Sequence, residues 1–176
     1  LKKPLIPINH LEGHILSAFI ESKSFPGRNF PFLTLLISGG HTQIILAKQI
    51  GKYELLGETV DDSIGETFDK VSQELGYGYP GGPMIEELAK KGDPTKYPFP
   101  KPLLKKQGLN FSFSGLKTAV IREIIKCKTS KERYWKNNIA ASLQSTVSAL
   151  LASKIREAIN LTGADSLVVS GGVAAN

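Results

Sequence analysis

A chain of 176 residues with 41% hydrophobic content is long enough for one domain or two small lobes around a sizeable core. Its single cysteine, Cys127, excludes an internal disulfide, and no apolar run is long enough to span a bilayer, so a reducing compartment inside a cell is the expectation. The net charge of +6 and a pI near 9.4 suit a polyanionic partner, although the same surplus also serves plain solubility.

In chain order, Pro7 ends an extended lead-in, and Asn9 followed by Glu12 reads as a capping pair for a helix over residues 10–22. The loop "KSFPGRNFP" then opens a sheet: Phe32–Ile37 and 42–47 form a strand, turn, strand unit, with "KYELLGE" as a third strand. Ile64, Phe68, Val71 and Leu75 recur at helical spacing, and Asp61 and Asp62 suit the positive N-terminal end of that helix. "GYGYPGGP" reads as a loop, after which Pro83 starts a short helix that Gly92 closes. Prolines at 94, 98, 100 and 102 predict an extended, basic and mobile excursion over 93–110. Ser114 caps a helix bearing Leu116, Val120 and Ile124, and Ile139, Leu143, Val147, Leu150 and Ile155 mark a long helical face. A final strand over 166–169 runs into a second Ser-Gly-Gly.

Strands interleaved with helices indicate an α/β class. Residues of about 1–60 and 166–176 are expected to supply the sheet and the glycine turns, and about 61–165 mostly helices. The recurrence of strand plus Ser-Gly-Gly suggests two related lobes. The chain opens without methionine and stops just after a signal that normally opens a helix, so an internal piece of a longer protein is the expectation.

Several residues carry candidate chemistry. His10 and His14 in "NHLEGH" lie four apart on one helix face, a spacing at which two imidazoles share a metal or simply face solvent. Leu11, Ile15 and Ala18 form the adjacent stripe expected to be buried. In zinc peptidases with H-E-x-x-H the glutamate works beside the metal, whereas Glu12 lies two residues from each histidine, turns to the opposite face and suits helix capping. Two imidazoles leave a metal underligated, so a further ligand is required.

The doublets Gly39-Gly40 and Gly171-Gly172 either make tight turns or let backbone amides approach a phosphate or acyl group closely; neither fits G-x-G-x-x-G or the Walker pattern. Asp69 and Glu86 read as solvated helix charges or as contacts in a cleft.

Taken in order, "NHLEGH", "LLISGGHTQ", "LLGETVDDSIGETFDKV", "GYPGGP", "FSFSGLKTA" and "VVSGGVAAN" resemble the tRNA threonylcarbamoyladenosine transferase family, TsaD in bacteria, once labelled O-sialoglycoprotein endopeptidase. The resemblance covers nearly the whole chain. It implies the actin-like ATPase fold, shared with sugar kinases and the 70-kDa chaperones, with this chain spanning parts of two lobes and a glycine turn from each lobe approaching the ligand. It implies metal ligation of one iron or zinc ion by His10 and His14, with an aspartate ligand beyond Asn176, and an N-terminal phosphate-binding hairpin outside the chain. Leu36, Ile37, Ser38, Gly39 and Gly40 match the segment binding threonylcarbamoyl-AMP, with Asp69, Gly82, Glu86 and Asn176 as further substrate contacts and ATP or ADP as other occupants of the cleft.

Leu36 stands where the archaeal and eukaryotic cytosolic branch has tyrosine, so the resemblance is to the bacterial or organellar branch, in the cytoplasm or an organellar matrix. Implied partners are tRNA with a TsaB-like paralogue and a TsaE-like ATPase, or a homodimer in an organelle, and no membrane. His41 is a candidate general base or an ordinary polar turn residue. Lys101, Lys105, Lys106, Lys117, Lys126, Lys128, Lys131, Arg133 and Lys136 are candidate phosphate contacts or solvated helix faces. A metal-dependent endopeptidase and a non-catalytic nucleotide-binding scaffold subunit are the rival functions.

Overall fold

The sheet grows outward from β1 (Phe32–Ile37), in which all six residues are buried. A strand covered on both faces must be apolar throughout, and "FLTLLI" is nearly so. β2 (Thr42–Gln49) pairs antiparallel with β1, and β3 (Lys52–Glu58) pairs antiparallel with β2 and forms one edge. Lys52, Glu54 and Glu58 are exposed on that edge, charges that discourage pairing with another chain. β4 (Leu167–Ser170) joins the other side of β1 in parallel, giving the order β3-β2-β1-β4. The computed structural model describes residues 4–20, 30–104, 108–129 and 131–176.

Alternation along β1 separates two cores. Leu33, Leu35 and Ile37 face the larger one, shared with α2 (Ile64–Leu75), α4 (Ser114–Cys127) and α5 (Trp135–Thr162). Phe32, on the opposite face, packs with Ile45, Ala47 and Ile15 of α1 (His10–Ser17). Helices on both faces of a mixed sheet make a layered α/β architecture. Among the described residues no helix is long and apolar enough to cross a membrane.

Several expectations shift on contact with the structure. Helix α1 ends at Ser17, whose hydroxyl donates back to the His14 carbonyl at 2.8 Å while tight turns follow at Phe19 and Ile20. Of the expected stripe on α1, Ile15 is buried but Ala18 is exposed. The end expected at residue 22 lies outside the described residues. Strand β2 runs two residues past Ala47, and β4 starts and ends one residue later than the apolar run suggested. α3 (Gly81–Ala89) begins before Pro83, which therefore sits in the first turn, where a missing N–H forfeits no helical bond.

Asp61 and Asp62 do not cap α2. Ser63 does, through a reciprocal capping box with Glu66, at 3.1 Å for the Glu66 N–H and 2.8 Å for the Ser63 N–H. The Asp61 carboxylate instead accepts from the backbone N–H groups of Phe113 and Ser114 and from the hydroxyls of Ser112 and Ser114, at 2.6–3.2 Å, capping α4 from a distance. Ser114 is therefore a capped residue rather than the cap, and Lys117 on the next turn pairs with Asp62 at 2.5 Å.

Among its described residues the proline-rich excursion lacks regular structure, as expected, but these residues are anchored. Asp93 and Tyr97 offer their N–H groups to Asn138 and Ser142 of α5, and Tyr97, Phe99 and Leu104 pack on the core. Buried Lys154 donates to the Gly108 carbonyl.

The two Ser-Gly-Gly turns also occupy one lobe, not two. Leu36 pairs with Ser170 in the parallel β1–β4 ladder, so both strands deliver their turns to the same end of a single sheet. This follows from the long helical crossover between them, which returns the chain parallel to β1.

Candidate substrate cleft and imidazole face

At the carboxyl ends of β1 and β4, the N-termini of α2 and α3 and a 3₁₀ turn (Gly172–Ala175) converge on a cleft of about 350 Å³. Such strand ends are the usual ligand position in open α/β sheets. Lining residues include Gly39, Asp69, Gly82, Glu86, Gly172 and Asn176. Thus six of the residues singled out in the sequence meet in one place, from four separate segments.

Their positions are held by short polar contacts. The Asp69 carboxylate accepts the Gly81 N–H at 2.7 Å, fixing the start of α3 beside Gly82. Asn176 donates its amide to the Gly82 carbonyl at 2.7 Å and accepts from Gln144 at 2.8 Å, so the last residue bridges α3 and α5. Glu86 lies 3.3 Å from Lys90, one turn on. The Ser63 hydroxyl bonds the Gly39 carbonyl at 2.5 Å, and the Ile64 N–H bonds the Thr42 hydroxyl at 3.1 Å, docking the start of α2 against the first glycine turn.

Close packing at this docking explains Gly65, which had no signal in the sequence, and Gly171 of the second doublet. A Cβ on Gly65 would lie 2.6 Å from the Gly39 Cα and 2.8 Å from the Ser38 carbonyl oxygen. Gly171 takes a φ of +98°, and a Cβ there would strike the Ile37 carbonyl. By contrast, added Cβ atoms on Gly39, Gly40, Gly82 and Gly172 would meet nothing within 4 Å, so the backbone at these four positions faces open space. Pro80, Pro83 and Val173 also line the cleft; they lie within "GYPGGP" and "VVSGGVAAN" but were not singled out as site residues.

The other expected residues lie around this cleft rather than on it. Leu36 and Ile37 are buried in β1; the Ile37 side chain borders a neighbouring cavity of about 450 Å³ that shares Val173 and Asn176 with the cleft. Ser38 and His41 close the turn on each other: the Ser38 N–H bonds the His41 carbonyl at 2.8 Å, and the His41 N–H bonds the Ser38 hydroxyl at 3.1 Å. The Ser170 hydroxyl of the second turn is buried without a hydrogen-bond partner among the described residues.

A separate imidazole face lies on α1. The rings of His10 and His14 are 4.6 Å apart between centroids, and His41 reaches to 6.2 Å from His10. Two adjacent imidazoles fit a nitrogen-preferring ion, but among the described residues no group of three or more His, Cys, Asp or Glu side chains is arranged to hold one. Glu12 is not a base beside these imidazoles: its carboxylate accepts the Tyr53 hydroxyl at 2.7 Å, which also replaces the capping role expected for it. Asn9 alone caps α1, through the N–H groups of Leu11 and Glu12.

Comparison with known proteins fits this arrangement. The family model described as "TsaD: tRNA N6-adenosine threonylcarbamoyltransferase" matches residues 1–176. Proteins named tRNA N6-adenosine threonylcarbamoyltransferase from Pelagibacter ubique, Thermosipho africanus and Neisseria gonorrhoeae are 48%, 47% and 45% identical to it. Each match covers 100% of this chain and 49%, 52% and 50% of the relative, respectively, so the chain spans about half the length of these curated relatives. With its mixed sheet, its paired glycine turns and this match over all its residues, the chain belongs to the TsaD family and to the actin-like ATPase class of α/β folds.

Proposed function

We propose that this chain forms the acyl-adenylate side of a tRNA N6-adenosine threonylcarbamoyltransferase. The full-length enzyme would transfer the threonylcarbamoyl group from threonylcarbamoyl-AMP to the exocyclic amine of the adenosine 3′ to the anticodon, in tRNAs reading codons that start with A. The observation that carries this reading is the cleft in which Gly39, Asp69, Gly82, Glu86 and Asn176 meet on a chain of this family.

The acyl group arrives already activated as a mixed anhydride, so no protein nucleophile is needed. The amine nitrogen attacks the carbamoyl carbon, the bond from that carbon to the phosphate oxygen breaks, AMP departs with the bonding pair, and the amine gives up a proton. An amine conjugated to adenine is a poor nucleophile, so positioning must supply much of the acceleration. Open backbone at Gly39 and Gly40 would offer donors to charge developing on oxygen. Glu86 would accept hydrogen bonds from ribose hydroxyls, and Asn176 would hold the adenosine side; both line the cleft. His41, braced by Ser38, is our candidate for receiving the amine proton.

His10 and His14 would hold a divalent ion, iron or zinc, together with a carboxylate from outside this chain. Such an ion, when bound, supplies electrophilic polarisation of the acyl donor. ATP or ADP would occupy the same cleft. A TsaB-like paralogue and a TsaE-like ATPase, or a second copy of the chain in an organelle, are the proposed protein partners, in cytoplasm or organellar matrix.

The test is nucleoside analysis of tRNA from cells lacking the endogenous enzyme, complemented with the full-length protein or its His10→Ala/His14→Ala form. Restoration of threonylcarbamoyladenosine by the parent alone is expected. Failure of the parent, when soluble and supplied with its partners, would overturn the transferase reading.

A further inference from the structure

We infer that Tyr77 and Tyr79 form a stacking platform for the unpaired nucleotides flanking the acceptor adenosine; the assignment rests on the transferase reading above. Both tyrosines project from the "GYGYPGGP" loop between α2 and α3. The loop is braced along its length: the Tyr77 N–H bonds the Ser72 carbonyl at 3.0 Å, the Ser72 hydroxyl bonds the Gly78 carbonyl at 2.8 Å, and the Gly81 N–H bonds Asp69 at 2.7 Å. Gly76 and Gly78 take φ of +90° and +75°, conformations that carry the chain through this path and favour glycine.

A loop held so firmly has its side chains positioned before any ligand arrives, yet neither ring is spent on the core. Tyr77 is 41% exposed and Tyr79 is 62% exposed. Stiff aromatic side chains facing solvent from a braced loop are costly in water and well suited to contact with another flat surface.

Cations lie against Tyr77 and two neighbouring aromatic rings. The Lys136 ammonium lies 4.9 Å from the Tyr77 ring centroid and 5.6 Å from that of Trp135, and is steered there by its bond to the Leu75 carbonyl at 2.9 Å. Arg133 sits 5.7 Å from the centroid of Tyr134, itself 56% exposed. Aromatic faces and cations thus share the end of the molecule where α2 finishes and α5 begins. That pattern is the one by which single-stranded nucleic acids are held: bases stack on rings, and phosphates meet the adjacent charges.

The position relative to the cleft selects the nucleotides. Pro80 lines the cleft, and Tyr79 immediately precedes it in the chain. A base presented to the cleft must leave its own stack, which strips its neighbours of a stacking partner. Tyr79 stands where the first neighbour would fall, and Tyr77 lies further out along the loop. Because every base has a π-face, the platform would tolerate different flanking bases.

The experiment uses the full-length protein, with an anticodon stem-loop RNA carrying 2-aminopurine next to the acceptor adenosine, and steady-state kinetics with whole tRNA. Tyr79→Leu is expected to raise both the RNA Kd and the KM for tRNA about tenfold, as stacking contributions to single-stranded binding imply. The KM for threonylcarbamoyl-AMP should not move, and Tyr79→Phe should stay within about twofold of the parent. 2-Aminopurine fluorescence should be quenched on binding to the parent and recover in Tyr79→Leu.

Unchanged tRNA Kd and KM in Tyr79→Leu, with an active parent, would overturn the platform. Loss of a protein partner in place of RNA would reassign the surface. Should Tyr79→Leu fold poorly, absence of quenching in the parent alone is sufficient to reject the proposal. A parent that modifies no tRNA would instead bring down the transferase reading, and the platform with it.

Discussion

Glycines around the cleft divide by what a methyl group would meet. Gly65 has no room, since its Cβ would lie 2.6 Å from backbone of the first glycine turn. Gly65→Ala should therefore cost about 1–3 kcal/mol of stability through overpacking, seen as a lower Tm. Gly39 and Gly82 border the cleft and a Cβ on either meets nothing. Gly39→Ala and Gly82→Ala should keep the parent Tm and lose affinity for AMP or threonylcarbamoyl-AMP, because the methyl group occupies ligand space; calorimetry of AMP binding decides. Normal AMP affinity in both variants would place the ligand elsewhere. The Gly39-Gly40 doublet was legible in the sequence because it interrupts an apolar strand. Gly65 was not: its need for a missing side chain is set by Ser38 and Gly39, distant in sequence, and nothing local to "SIGE" announces it. Glu12 was misread for the same reason, its partner being Tyr53 on β3.

At the scale of elements, the joint between α2 and α4 depends on Asp61. Burial disfavours its charged form, but hydrogen bonds from Ser112, Phe113 and Ser114 outweigh burial and hold the carboxyl below its ordinary value of 3.8. A carboxylate whose folded pKa is depressed contributes stability above its unfolded pKa and loses it as pH falls through the lower, folded value. Asp61→Ala should cost about 1–2 kcal/mol at pH 7, the scale of a lost helix cap. The gap between parent and variant should hold down to about pH 4 and close below it. Urea titrations at pH 7, 5 and 3 check this, and a gap unchanged at pH 3 would show that the carboxylate charge is not what caps α4. The helices themselves were legible because apolar residues recur at helical spacing, and β1 to β3 because turns separate short apolar runs. Which strand lies beside which was not: the parallel pairing of β1 with β4 is made across the whole helical crossover, so the two glycine turns were assigned to different lobes when they share one end of a single sheet.

For the molecule as a whole, the net charge of +6 overstates what an RNA would meet. Lys117, Lys126 and Lys128 are already paired with Asp62, Glu123 and Glu74 at 2.5, 2.9 and 3.7 Å. Lys105 and Lys106 lie outside the described residues. Lys101, Lys131 and Arg133 make no ion pair among the described residues, and the Lys136 ammonium faces rings and a carbonyl rather than an acid. Three or four cations of this kind, meeting phosphates of an unpaired loop, should give a plot of log K against log salt with a slope of about −2 to −3. Lys131→Ala/Arg133→Ala should flatten that slope by about 1 to 1.5, whereas Lys126→Ala should leave it nearly unchanged. Fluorescence anisotropy of the full-length protein with tRNA across a salt series measures both. A slope near about −6 would mean that the ion pairs open to admit phosphates and that the basic residues act together. The shallow slope would assign the remaining affinity to contacts that salt does not screen, which is the behaviour expected where bases rest on Tyr77 and Tyr79 beside the cleft.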